Sequence, residues 1–306
     1  MNKKTGYFLT VFGAVCWAFS GACGQYLFLH RGLDANWLVS VRLTMAGLLL
    51  VLYSLARWRS DAVQVFRTRK SVGAIIIFAV FGMAMCQYSY FRSIELSNAA
   101  TATTLQYTGP ALVLLWLALR EKRMPSLKEL IAVVCAMGGA FLLATHGDPS
   151  QMALSPKALF WCVLAAISIA VYSVQPRELI AQYGTIPVTG FGMLIGGLGL
   201  CAVFRPWHIV GQWDAVTVIG MVYIIIFGTI CAFCCYLEGV RRIGAAKGSI
   251  LAAVEPVASA VLSVCWLGVP LIGVDIGGIA LIVAAMVLLA GDSESSPDKK
   301  TAEKST

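Results

Sequence analysis

The chain has 306 residues, of which 59% are hydrophobic and 12% charged, and its mean hydropathy is +0.81. Soluble domains carry about 25% charged residues and arrange their apolar residues in stripes rather than unbroken runs, so a soluble fold is excluded. The formal charge of +8 provides no folded basic face for a nucleic acid; its placement between apolar runs is what carries information.

A helix crossing about 30 Å of hydrocarbon needs about 20 mostly apolar residues. Ten such runs lie near 6–29, 36–56, 72–94, 99–119, 127–145, 157–175, 185–204, 216–237, 245–267 and 271–290. The first holds Trp17 near its centre, with Ser20, Gly21 and Gly24 below. Small residues beside an indole leave space, so Trp17 is expected to wall a cavity. The second carries Arg42 about two turns in, and the third offers Gln87 and Tyr88. The fourth is the most polar, TATTLQYTGP, where Thr103, Gln106, Tyr107 and Pro110 share one helical face. Gln106 cannot satisfy its amide within its own helix and needs a partner, a water or a solute.

The fifth and tenth runs open near Glu129 and Asp275, where a helix dipole favours an acid. Tyr172 and Tyr223 lie in the sixth and eighth. Gly192/Gly196 and Gly273/Gly277 form G-x-x-x-G pairs that let helices approach closely. The ninth run, GSILAAVEPVASAVLSVCWLG, contains Glu255 and Pro256 at mid-depth. Charges within a membrane are costly and are functional candidates by default. Glu255 is the acid at true mid-depth, and three roles are open to it: proton carrier, ligand for a cationic or amino group, or structural partner of backbone groups freed by Pro256. Residues 291–306 form a polar tail, expected to be disordered and cytoplasmic.

If the N-terminus is inside, most of the 23 Lys and Arg fall on the inner side, leaving Arg31, Arg42, Arg92, Lys157 and Arg205 in the outer half. The positive-inside rule then puts both termini in the cytoplasm. All ten cysteines lie inside apolar runs, so no loop disulfide framework is expected. His30, His146 and His208 fall at outer helix ends, which excludes an intramembrane histidine relay. No metal set, cofactor motif or intramembrane catalytic constellation is visible, and an enzyme is not expected.

Displaced by 146 positions, YFRSIELSNAATATTLQYTGP (90–110) falls on YLEGVRRIGAAKGSILAAVEP (236–256). The same offset carries Glu129 onto Asp275 and Pro110 onto Pro256. The chain therefore reads as two five-helix repeats, 1–145 and 157–290, joined by an outer loop at 146–156. Five being odd, the second repeat enters from the opposite side, as in inverted-repeat transporters with sites near the midplane.

The duplication, the SNAATATTLQYTGP…REKR…GG pattern and its second-half counterpart GAAKGSILAAVEPV…LG…GG resemble the drug/metabolite transporter superfamily, specifically its EamA-type ten-helix members, over residues 6–290. One departure is visible: Arg120-Glu121 in the first half has Gly268-Val269, without an acid, in the second. The resemblance implies ten helices around a central cavity and export of amino acids or other small metabolites.

The expectation is thus an all-α integral protein of a bacterial inner membrane, with ten transmembrane helices as two inverted five-helix repeats. It moves a small-molecule solute by alternating access, with protons as a candidate coupled ion and the lipid bilayer as surroundings. One chain holds both halves, so a monomer suffices and a dimer stays compatible. The candidate substrate-binding set is Trp17, Arg42, Tyr88, Thr103, Gln106, Tyr107, Tyr172, Tyr223 and Glu255, with Pro110 and Pro256 as gating or kink residues. A cationic-drug exporter is the alternative within transport, and a non-transporting receptor or scaffold the alternative outside it.

Overall fold

A computed structural model of the chain describes residues 3–109, 111–112, 124, 126–148, 153–243, 248 and 251–295. Among these residues all regular structure is helical. The principal helices are α1 (Lys3–Arg31), α2 (Ala35–Trp58), α3 (Arg69–Leu96), α4 (Ala99–Gln106), α5 (Leu127–Thr145), α6 (Pro156–Val174), α7 (Thr185–Phe204), α8 (215–243), α9 (Val254–Cys265) and α10 (Gly273–Ser295). Among the described residues α1, α2, α3, α5, α7 and α8 are long and apolar enough to cross a membrane, and α6, α9 and α10 supply shorter apolar helices.

Short polar residues set where several helices start. Asp34 Oδ1 accepts from Trp37 N at 2.7 Å, and Ser155 caps α6 ahead of Pro156. Ser126 and Glu129 close a reciprocal capping box on α5, satisfying N–H groups that a helix start leaves without intrahelical partners. Asp214 caps α8, and its carboxyl is held below the usual range chiefly by the Thr217 backbone N–H, with burial opposing and the Thr217 hydroxyl and Arg31 assisting. A depressed carboxyl stabilises the fold fully above its unfolded titration range, and that stability is lost as the pH falls through the range.

Two helices carry π turns and two are interrupted by a turn. α3 passes through a π turn at Phe78–Ala84 and α8 through one at Ile226–Cys231. α4 ends at Gln106, followed by a turn at Tyr107 and Thr108, and α9 begins after a turn at Ala253. Each such interruption frees backbone groups that lipid cannot satisfy, so it persists only where protein or a cavity surrounds it.

The helices pack in pairs. α2 crosses α7 and α5 crosses α10; α1 lies against α8 and α9, α6 against α3 and α4, and α4 against α9. The α5/α10 crossing is tight because Gly139 and Gly278 face each other: a Cβ on Gly139 would stand 2.6 Å from the Gly278 carbonyl oxygen. Gly192 and Gly196 admit Phe78 and the Ala79 carbonyl of α3 closely. Gly273 and Gly277 do not behave as the sequence pairing predicts, since no described atom lies within 4 Å of a Cβ at either. In α10 the glycine that faces α5 is Gly278, one residue further along the helix. Leu48, Leu49 and Leu52 of α2 and Val216, Ile219 and Val222 of α8 are exposed. Stripes of this kind, too apolar for a water-facing surface, are the lipid-facing side of the bundle.

Gly139→Val forces the α5/α10 crossing apart. It is expected to lower stability by about 1–3 kcal/mol in a thermal or denaturant melt of the detergent-solubilised protein. Gly199→Ala, where no described atom lies within 4 Å of the added Cβ, is expected to stay within about 0.5 kcal/mol of the parent.

Candidate functional site

The two helix interruptions meet. Tyr107 follows the last residue of α4, where its N–H is shared between the Thr103 and Thr104 carbonyls at 3.3 and 3.1 Å. Its hydroxyl donates to Glu255 Oε2 at 2.6 Å and to the Ala252 carbonyl at 3.2 Å. Glu255 is the second residue of α9 and Pro256 the third. Proline is tolerated in a first turn because its missing N–H would have no intrahelical partner there. The helix N-terminus favours the Glu255 carboxylate, which is 6% exposed.

Arg42 of α2 stands elsewhere in the same wall and is 2% exposed. Its Nε donates to Thr229 Oγ1 at 2.7 Å and its Nη2 to the Gly228 carbonyl at 3.2 Å, both within the π turn of α8. The guanidinium carbon lies 4.6 Å from the Phe91 ring centroid, in range for a cation–π contact. Nη1 is buried and, among the described residues, has no hydrogen-bond partner.

Between these groups lies a cavity of about 90 Å³. Glu255, Tyr107 and Gln106 line it from the interrupted helices, Trp17 and Ser20 from α1, and Ile169 and Tyr172 from α6. Gly82, Met83, Cys86, Gln87 and Tyr90 of α3 and Phe233 of α8 complete the wall. Phe233 also lines a larger cavity of about 600 Å³ bounded by Leu50, Trp58, Tyr183, Pro187, Leu237 and Val240. The Phe233 ring packs against Trp17 and Tyr172, with centroids 5.0 and 5.9 Å away. A separate apolar cluster holds Cys23, Leu27, Phe91, Ile94, Met221 and Ile224, all buried.

Of the residues singled out in the sequence, Trp17, Arg42, Gln106, Tyr107, Tyr172 and Glu255 line this cavity. Thr103 sits behind the wall, 2.8 Å from the Tyr90 hydroxyl. Tyr88 is elsewhere: its hydroxyl donates to Asn36 Oδ1 at 2.8 Å, and its ring packs on Trp161 and Phe204. Two positions past Cys86 is about 200° around a helix, so Tyr88 turns away from the face that reaches the cavity. Tyr223 is also elsewhere, packed on Phe19 and Phe227. The π turn lies between Tyr223 and Phe233 and shifts the helix phase, and Phe233 is the aromatic of α8 that reaches the site. Pro110 lies outside the described residues. Pro256 is buried at a helix start and does not kink a continuous helix. Trp17 and Ser20 do border space, but Tyr90 and Phe91 fill the room beside Gly21 and Gly24.

Cys86, Tyr90 and Phe233 were not among the expected site residues. Gly82, Cys86 and Tyr90 recur every four residues, the spacing of one helical face, and that period is the signal for the first two. Phe233 had none, because its role follows from the π turn.

Residues 4–145 and 156–291 match the EamA-like transporter family. The chain is 36% identical, over 95% of its length and 97% of the relative's, to an uncharacterized inner membrane transporter, YicL, of Salmonella typhimurium. It is 26% identical to the threonine/homoserine exporter RhtA of the same species, over 82% of this chain and 80% of that protein. A solved crystal structure at 19% identity covers 96% of this chain and 100% of its own, with a TM-score of 0.62, which shows a shared fold.

The Tyr107–Glu255 bond is expected to register in a double-mutant cycle. Interhelical hydrogen bonds in membrane proteins average about 0.6 kcal/mol and reach about 1.7. Tyr107→Phe, Glu255→Gln and the double variant, melted in the same detergent, should give a coupling energy in that range. Additive losses would show that the two side chains stabilise the fold independently.

Proposed function

The chain belongs to the EamA-like transporter family, and from that premise we propose that it exports amino acids or related small solutes by alternating access around the cavity between its two interrupted helices. The observation that carries the reading is a mostly apolar cavity that holds the buried side chains of Arg42 and Glu255, bounded by Phe233 from a larger cavity that reaches the ends of α2, α7 and α8. A solute held in the small cavity has one aromatic side chain between it and the larger space. A larger cavity on one side of the small one suits one facing state of a carrier.

The two halves are read as inverted five-helix repeats, 1–145 and 157–290, forming ten transmembrane helices with both termini in the cytoplasm of a bacterial cell and the chain in its inner membrane. Several features support this. The turns at Tyr107 and Ala253 stand at the offset of 146 seen in the sequence, and the π turns of α3 and α8 overlap at the same offset. Helix pairs also recur under exchange of halves: α1 on α8 corresponds to α6 on α3, and α1 on α9 to α6 on α4. Under this topology the larger cavity is on the cytoplasmic side, and the state is inward-facing. Rocking of the halves would open the opposite side. The relative RhtA, a threonine/homoserine exporter, favours amino acids as the solute class, and Arg42 in the cavity wall weighs against a cationic drug.

The test is flux in vesicles reconstituted with the full chain, with and without a pH gradient. Saturable movement of at least one neutral amino acid is expected, above protein-free vesicles. Flux equal to that of protein-free vesicles for every amino acid removes the reading. If the gradient drives flux, its persistence in Glu255→Gln with unchanged pH dependence would exclude Glu255 as the proton carrier.

A further inference from the structure

We propose that Arg42 and Glu255 form a two-point clamp for a zwitterion, Arg42 holding a carboxylate and Glu255 an ammonium, so that the solute is recognised as a free amino acid with both termini unmodified. The inference rests on the proposed transport of amino acids and assigns the two ends of that solute to two side chains.

Both groups border the same cavity and both are buried. Among the described residues neither has an oppositely charged partner within ion-pair distance. Arg42 is held by neutral groups: the Thr229 hydroxyl, the Gly228 carbonyl and the Phe91 face. Those contacts use Nε and Nη2 and leave Nη1 buried without a partner among the described residues. Glu255 receives the neutral Tyr107 hydroxyl. Two opposite charges in one low-dielectric cavity gain strongly by pairing, and burying each alone is expensive.

The fold keeps them apart. Arg42 is braced to the π turn of α8, and Glu255 is tied to the interruption after α4. A solute carrying an anion at one end and a cation at the other compensates both charges while leaving the attachments intact. The guanidinium fork suits a carboxylate by paired hydrogen bonds. The carboxylate of Glu255 accepts from an ammonium. Trp17, Met83, Ile169 and Tyr172 supply apolar wall for the solute's side chain. The volume of about 90 Å³ is that of about three liquid waters, which favours the smallest amino acids over bulky ones.

The test uses the reconstituted full chain with L-alanine, L-serine and L-threonine, each as free amino acid, methyl ester and N-acetyl derivative, competing against the radiolabelled free amino acid. In the parent protein the ester and the N-acetyl form should each compete at least tenfold more weakly than the free amino acid. Arg42→Gln should reduce the discrimination against the ester and keep that against the N-acetyl form, and Glu255→Gln should do the reverse. If the parent carries free amino acids but accepts ester or N-acetyl forms equally well, the clamp is wrong and the transport reading stands. If it carries none of the three, the clamp is wrong for this cavity, and the transport reading falls as well where every other amino acid also moves no faster than in protein-free vesicles. The parent's ligand series decides the matter even where a variant does not fold.

Discussion

The bond from Tyr107 to Glu255 organises the centre of this molecule. A helix that stops inside an apolar bundle leaves backbone groups that lipid cannot satisfy. Here two helices are interrupted, and a side chain beside one interruption reaches a backbone carbonyl at the other. The Tyr107 hydroxyl reaches the Ala252 carbonyl, which the α9 interruption leaves available, and the carboxylate beside it. Pro256 makes the interruption inexpensive by occupying a first-turn position where its missing N–H has no role. The cavity borders the place where these two interruptions meet.

The second polar anchor works on the same principle with different parts. The π turn of α8 frees the Gly228 carbonyl and sets the Thr229 hydroxyl where both accept from Arg42. π turns recur at functional sites because an inserted residue releases hydrogen-bonding groups that a regular helix consumes internally. Arg42 therefore stays in the apolar region without an anion. Holding a charge by neutral groups leaves its electrostatic demand incompletely met, and that residual demand can be directed at a solute.

Close packing elsewhere keeps these anchors in register. The α5/α10 crossing meets through Gly139 and Gly278, and α7 admits Phe78 and the α3 backbone at Gly192 and Gly196. Without a hydrophobic drive between helices in lipid, such contacts rest on close surface approach. Phe233, packed on Trp17 and Tyr172, then stands between the small cavity and the larger one as a side chain rather than a layer of backbone. A barrier made of side chains can open by rotamer changes and small helix shifts, which is what a carrier requires of the side facing its entry path.

Much of this was legible in the sequence, because membrane crossing imposes length and hydropathy on every span and charge on every loop. The runs at 127–145 and 185–204 coincide with α5 and α7. Glu255, Arg42, Gln106, Tyr107, Trp17 and Tyr172 stood out as polar or aromatic groups at depth, and all border the cavity. Tertiary structure alone decided which face each helix turns inward. Tyr88 and Tyr223 have the same composition signal as Tyr90 and Tyr172 yet point elsewhere, since a rotation of 100° per residue and a π turn's added residue set orientation. It also decided that Tyr107 meets Glu255 and that Arg42 meets a π turn. Those contacts join residues 148 and 187 positions apart, and no local pattern encodes a distance that only the packing of helices brings to hydrogen-bond length.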